Sequence, residues 1–350
     1  MSTFLNASPI FGPVRSRRLG LSLGVNMMPA SGKICTFDCI YCENGLNAER
    51  PCHEPYNTAT VVLDALEAKL CEMAAEGELP DVITFAGNGE PTAAPEFPQA
   101  IAGAVALRDE LAPNTKIAVL SNGTRADRPH VHDALMMVDD NILKLDTVDL
   151  AFIQLLDQPV GPYDVEHQIE TFTSFDSHVI IQTIFLTGEY QGKLIDNTGE
   201  EYVGPWLAAL ERIRPQEATI YTVARETPVA GLAKAAPEVL DAIAARVSRA
   251  GLSCMAMEKS RGENLPVNIT AAPFAAVPMT RKEEKSIRVS FMGQPVLRPG
   301  QARQCVLSVE NHTAEKLEGP VECKVSGCVQ AMTAGHITVA AGETARVPFT

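Results

Sequence analysis

Cys35, Cys39 and Cys42 fall within eight residues, spaced by three and then two intervening positions. Thiolates at that spacing on one tight loop can converge on a single metal centre. Three of them fit three corners of a cubane 4Fe-4S cluster and leave the fourth iron open. A structural zinc site wants a closed shell of four protein ligands, for which Cys52 or His53 would have to supply the fourth. An open iron can instead hold a small molecule by its own polar groups.

A second polar motif lies downstream. The apolar run Val82-Ile83-Thr84-Phe85 leads into Ala86-Gly87-Asn88-Gly89-Glu90-Pro91-Thr92. Glycines let backbone approach a ligand closely, and a carboxylate pairs well with an ammonium. Other apolar runs end in or carry polar groups of their own: Ser121-Asn122-Gly123-Thr124, Lys144-Leu145-Asp146, Gln182-Thr183 and Tyr221-Thr222.

The elements that must position these groups alternate along the chain. Leu21 to Asn26 reads as a short strand entering the cysteine loop. Val62, Leu66, Leu70 and Met73 recur at three- and four-residue spacing and predict a helix over 60–75. Strand-like runs follow at Val82–Phe85, Lys116–Leu120, Ile142–Leu145, Val179–Leu186 and Thr219–Val223, with a last candidate at Ser253–Met257. Helical stretches over 96–111, 130–137, 164–172, 201–213 and 237–250 separate them. This alternation specifies a parallel α/β sheet with right-handed crossovers. In a barrel built from such units, chemistry collects past the C-terminal ends of the strands, where these polar groups lie.

The Cys35-x-x-x-Cys39-x-x-Cys42 loop, with Tyr41 before the last cysteine, resembles the signature of radical S-adenosylmethionine (SAM) enzymes. Gly87-Asn88-Gly89-Glu90-Pro91 resembles the Gly-Gly-Glu-Pro motif of the same superfamily, with Asn88 inserted between the glycines. The resemblance implies a partial (β/α)6 barrel over residues 1–265, a 4Fe-4S cluster on the three cysteines and SAM chelated to the open iron. It also implies reductive cleavage of SAM to methionine and a 5′-deoxyadenosyl radical that takes hydrogen from substrate. Gly87, Asn88, Gly89 and Glu90 would then hold the SAM amino group, while Asn122 and Asp146 would line its ribose side. Tyr41 would pack beside the adenine, with Gln182 a further cofactor contact. An electron donor of flavodoxin or ferredoxin type follows from the same resemblance.

A narrower resemblance covers the N-terminus. Gly12-Pro13-Val14-Arg15-Ser16-Arg17-Arg18-Leu19-Gly20 is similar to a subgroup of Fe-S oxidoreductases related to the wybutosine-synthesis type, with Arg15 in place of a common proline. The match runs over about residues 8 to 260 and implies a mechanism without a substrate. An enzyme that activates a glycyl-radical partner protein would share the cluster and SAM site. A non-catalytic zinc or Fe-S module is the remaining class.

Composition sets outer limits. The net charge of −14 argues against a general nucleic-acid binder. Residues 1–60 hold five Lys/Arg (Arg15, Arg17, Arg18, Lys33, Arg50) against four Asp/Glu, so the basic group sits beside the cysteine loop in sequence. It could face an anionic substrate, the SAM carboxylate or the cluster. No run of eighteen apolar residues marks a membrane span. The first residues lack a signal-peptide pattern, and nine cysteines read as ligands and buried thiols, so a cytoplasmic location is expected.

Past residue 265 the character changes. Residues 266–285, with their Ala/Pro-rich and then charged stretches, read as a linker. Short β-like runs at Ile287–Phe291, Gln304–Val309, Val321–Val325, His336–Val339 and Thr344–Phe349 predict a small all-β domain over 286–350, an immunoglobulin-like sandwich with about five of the usual seven strands.

Overall fold

The computed structural model describes residues 4–16 and 19–256, together with the backbone of five strands between 287 and 349. The chain divides into two compact units, residues 1–71 with 79–264 and residues 72–78 with 265–350.

The first unit is built on one eight-stranded sheet. Its strands are β1 (Ile10–Ser16), β2 (Gly20–Val25), β3 (Val82–Phe85), β4 (Lys116–Ser121), β5 (Asp140–Lys144), β6 (Ile180–Ile184), β9 (Glu217–Tyr221) and β11 (Cys254–Ala256), in that spatial order. Within this sheet β2, β3, β4, β5, β6, β9 and β11 run parallel, and only β1 is antiparallel, paired with β2. Between them lie α1 (Ala59–Glu76), α2 (Phe97–Leu111), α3 (Pro129–Met136), α4 (Leu150–Leu156), α5 (Val165–Thr173), α6 (Glu200–Ile213) and α7 (Pro237–Arg249). The parallel strands never reverse order. Right-handed crossovers put the connecting helices on one face and leave the other, inner face to its own side chains and to the cysteine loop, against which α4 packs at the rim.

Register fixes which residues share that inner face. Val82 pairs with Ser22 and Lys116, Ala118 with Thr84 and Asp140, Ile142 with Leu120 and Ile180, and Lys144 with Gln182. Parallel partners point the same way. Val82, Ala118, Ile142 and Ile180 pack together with Leu19 and Leu120 as an apolar inner layer. The outward residues meet helices: Trp206 of α6 donates its indole N–H to Thr183 Oγ1 at 3.1 Å. No helix among the described residues is long and apolar enough to cross a membrane.

The alternation expected from the sequence is present, with three differences. The run 179–186 is not one strand. β6 ends at Ile184, and the chain turns into β7 (Leu186–Tyr190) and β8 (Lys193–Asp196), which form a three-stranded antiparallel sheet with β10 (Leu232–Lys234). Buried Asn197 holds the break, donating to Ile184 O (2.8 Å) and Asp146 O (3.2 Å) and accepting from Leu186 N–H (3.0 Å). Helix α4 is a seven-residue addition started by Asp149, whose carboxylate accepts from Phe152 N–H at 2.7 Å.

The third difference concerns charge. Ser16 pairs with Gly20 at the start of β2, while the cysteine loop leaves its far end at Val25. Arg15 on the β1 hairpin, paired with Leu21, thus sits towards the opposite rim, about 13 Å of strand away, not beside the cysteine loop. Arg17 and Arg18 lie outside the described residues.

In the second unit, β12 (Ile287–Met292), β13 (Cys305–Asn311) and β16 (Thr344–Phe349) form an antiparallel sheet, and β14 (Leu317–Cys323) pairs with β15 (Met332–Val339). The expected linker, 266–285, lies outside the described residues.

Candidate functional site

The cysteine loop is fastened by backbone to three other parts of the unit. Ile34 bridges to the loop after β3, donating to Asn88 O (3.0 Å) and accepting from Glu90 N–H (3.0 Å). Asp38 and Ile40 donate to Asp157 O (2.9 Å) and Leu156 O (3.0 Å) at the end of α4, and Val160 N–H reaches Thr36 O (2.9 Å). Asn47 closes the loop on itself, donating to Phe37 O at 3.2 Å.

Gly87 and Gly89 both have positive φ, +128° and +139°, in a region that side chains rarely enter. A Cβ on Gly89 would overlap the Ile34 carbonyl, and one on Gly87 would meet the Asn26 carboxamide. Gly89 thereby admits the cysteine loop itself. Asn88 is fully buried, and its carboxamide holds the N-terminal segment. It accepts from Asn6 N–H (2.7 Å) and donates to Asn6 O (3.0 Å) and Pro29 O (3.1 Å). Its side chain is therefore committed to the protein rather than presented to a ligand.

Glu90 is also buried, and it staples two strand ends together. Oε1 accepts from Thr92 N–H (3.1 Å), Thr92 Oγ1 (2.6 Å) and Ser121 Oγ (2.7 Å), and Oε2 accepts from Asn122 N–H (2.7 Å). Burial nevertheless raises its pKa above the ordinary glutamate value, the hydrogen bonds working the other way. Asn122 reaches back to the cysteine loop, donating to Thr36 Oγ1 at 2.9 Å, while its Nδ2 lies 3.8 Å from Cys35 Sγ.

Tyr41 and Asp146 are brought together, with Gln182 beside them on the inner face. The Tyr41 hydroxyl points into a buried polar cluster, bonded to Asp146 Oδ2 and, at 2.9 Å, to Asp157 Oδ1. Asp146 Oδ1 accepts from Ile184 N–H at 2.9 Å. Lys144 Nζ stands 3.5 Å from Asp146 Oδ2, 3.4 Å from Tyr221 OH and 5.0 Å from the Tyr41 ring centre. Tyr41 and Asp146 thus bind each other, and a contact with adenine or ribose does not use those polar atoms. Gln182 lies on the inner face of β6 beside Lys144, and its carboxamide makes no hydrogen bond among the described residues.

Asp157 is the main residue that sequence reading missed. Its carboxyl also lies 3.5 Å from Cys39 Sγ. Burial, followed by the Asp146 carboxylate, pushes its pKa well above the aspartate range. The available signal was a lone acid ending an otherwise apolar run, Leu150 to Leu156.

The thiols share one electrostatic neighbourhood. Burial drives Cys35 up to about 12, with Glu90 adding to it, and drives Cys39 upward with Asp157 second. Lys33 is 4% exposed; burial opposes its charge, but Cys42, Cys35, Cys39 and Asp38 outweigh that and raise its pKa. As the side chains stand, no three His, Cys, Asp or Glu among the described residues are grouped to hold a metal ion. Cys39 is turned towards Asp157 and Cys35 towards Asn122. The donor set still suits an iron-sulfur cluster: three thiols on one fastened loop, coupled to each other and to one buried cation. Ligation would require the thiols to lose their protons. Cys52 stands apart, with Sγ 3.7 Å from Ser31 Oγ and 3.9 Å from Glu54 O, and His53 is exposed. A cleft of about 270 Å³ beside the Asn122 loop is lined by Gly123, Thr124, Asp127, Tyr163 and His167 among others.

No family model matches the chain. In sequence it is similar to a protein named GTPase Obg from Brachyspira hyodysenteriae, 27% identical over 229 residues, 64% of this chain and 31% of that one. It is also 32% identical over 190 residues to a UPF0026 protein of Helicobacter pylori, covering 54% of this chain and 55% of the relative. The chain thus spans about a third and about half of the lengths of those two relatives. In structure it resembles a radical SAM methyltransferase from Sphaerobacter thermophilus, with a TM-score of 0.51 and 17% identity over 72% of this chain and 68% of that one. The fold is therefore that of a radical SAM enzyme.

Proposed function

We propose that this chain is a radical SAM enzyme, with Cys35, Cys39 and Cys42 holding a 4Fe-4S cluster whose open iron takes S-adenosylmethionine. The carrying observation is the fastening of the cysteine loop, at the C-terminal end of the first parallel strand, to the Gly87–Glu90 turn and to the end of α4. Bound there, the cluster would supply the electron for reductive cleavage of SAM and hydrogen abstraction from substrate.

The protein's own groups have separable tasks. Backbone at Gly87 and Gly89 and the remaining acceptor capacity of Glu90 Oε2 would hold the SAM amino group. Asn122 orients Cys35 through Thr36 and borders the ribose. Lys33 offsets the negative charge of the ligated thiolates. Tyr41 and Asp146 act mainly by bracing the loop. A small reductant protein of flavodoxin or ferredoxin type supplies the electron. The N-terminal motif relates the chain to the wybutosine-synthesis type of Fe-S oxidoreductase, and the two antiparallel sheets of the second unit favour a small immunoglobulin-like sandwich.

The test is anaerobic reconstitution with iron and sulfide, then reduction in the presence of SAM. A brown protein that yields 5′-deoxyadenosine is expected. A colourless protein holding one tight zinc and giving no product would overturn the reading.

A further inference from the structure

The inner face of the sheet changes character along its height. Its lower layer is apolar, made by Val82, Ala118, Ile142 and Ile180. Directly above, towards the C-terminal ends, the next in-register row is polar: Lys144 on β5, Gln182 on β6 and Thr219 on β9, with Tyr221 one step higher. A buried polar row needs partners.

Thr219 is fully buried, and its hydroxyl bonds Glu217 Oε1 at 3.1 Å. The other three are not closed in this way. Lys144 is 17% exposed at its side chain, and Gln182 and Tyr221 are half-buried. The two polar contacts of the ammonium, Asp146 Oδ2 at 3.5 Å and Tyr221 OH at 3.4 Å, are both longer than a good hydrogen bond. Asp146 is the ion-pair partner of Lys144 and also takes Ile184 N–H and the Tyr41 hydroxyl. An ammonium carries three donors, so Lys144 has capacity left. The Gln182 carboxamide has no partner among the described residues. Three donors from three neighbouring strands therefore stand together above an apolar layer.

We infer that Lys144, Gln182 and Tyr221 form an anchoring site for the carboxylate of a small organic-acid substrate, whose apolar part rests on the layer below. The inference rests on the radical SAM reading for its chemistry, since it fixes a substrate within the sheet's mouth where a radical would act. Two acceptor oxygens suit the set: one takes Lys144, the other takes the Gln182 amide N–H, and the Tyr221 hydroxyl can reach either. A neutral amide in place of the carboxylate would bring a donor against the ammonium. No bond is made or broken at these residues; they hold and orient.

The probe is butyrate, with butyramide as its neutral counterpart, followed by saturation-transfer NMR on the anaerobically reconstituted full chain with saturating SAM. Butyrate is expected to give transfer and butyramide little. Lys144→Met is expected to weaken butyrate binding about tenfold or more, the loss of one charge-assisted hydrogen bond. Gln182→Glu should do the same by repulsion while leaving the packing nearly unchanged, and it serves if Lys144→Met fails to fold. Lys193→Met, at an exposed strand end, should have no effect. Equal transfer from both probes, none from butyrate, or full butyrate binding in Gln182→Glu overturns the inference. Iron, sulfide and 5′-deoxyadenosine are measured on the same preparation. A preparation without cluster or product brings down the radical SAM reading; one with both that ignores butyrate brings down this inference alone.

Discussion

Gly89 lies so close to Ile34 that its missing side chain is what allows the cysteine loop to dock: a Cβ would overlap the Ile34 carbonyl, and the φ of +139° excludes one independently. Gly89→Ala should therefore free the loop start and destabilise the unit by about 2 kcal/mol or more. Urea denaturation measures the loss. Faster alkylation of Cys35 in the folded protein would show that the loop has detached. Unchanged values for both would mean the backbone relaxes around the clash.

Cys39→Ala should remove the cluster and SAM cleavage together. Iron and sulfide content and 5′-deoxyadenosine are the readouts. Cleavage that survives in this variant would show that the cluster is held elsewhere.

Asn88→Ala should release residues 4–8 and leave SAM affinity within about twofold of the wild type. The carboxamide serves Asn6 and Pro29, and orphaning such buried groups costs about 1–3 kcal/mol. Hydrogen exchange at Asn6 reads the release, and equilibrium binding reads the affinity. A large fall in SAM affinity with exchange at Asn6 unchanged would make Asn88 a cofactor contact.

Glu90 sets a pH signature on the cluster-free protein. Its folded-state pKa is raised above the ordinary 4.5, so the folded chain keeps a proton that the unfolded chain releases. The associated stability is complete below about pH 4.5 and is lost as pH rises through the folded value. Glu90→Gln should flatten that segment of the stability–pH curve, while lowering stability throughout because an amide N–H₂ meets donors from Thr92, Ser121 or Asn122. A curve of unchanged slope would assign the proton to another group.

Much of the fold was legible. Apolar periodicity located the seven parallel strands and six of the seven helices, because each repeats a local pattern that burial enforces. The break after Ile184 was not legible, since Ile184, Phe185 and Leu186 read as one apolar run and the residue that holds the break, Asn197, is thirteen positions on from Ile184. The side of the sheet on which Arg15 falls was equally hidden. Adjacency to the cysteine loop in sequence becomes opposition in space once β1 and β2 fold as a hairpin.

By itself, the sequence determined the chemistry that is local. Three thiols at fixed spacing share one loop in any fold, and the Gly87–Glu90 turn must follow its strand. Only the tertiary structure decided which polar atoms remain available. Tyr41 and Asp146 are 105 positions apart, and Tyr41 and Asp157 are 116 apart. Their mutual hydrogen bonds arise because buried polar groups take whatever partner packing brings within reach. The same requirement committed Asn88 to Asn6 and Thr219 to Glu217.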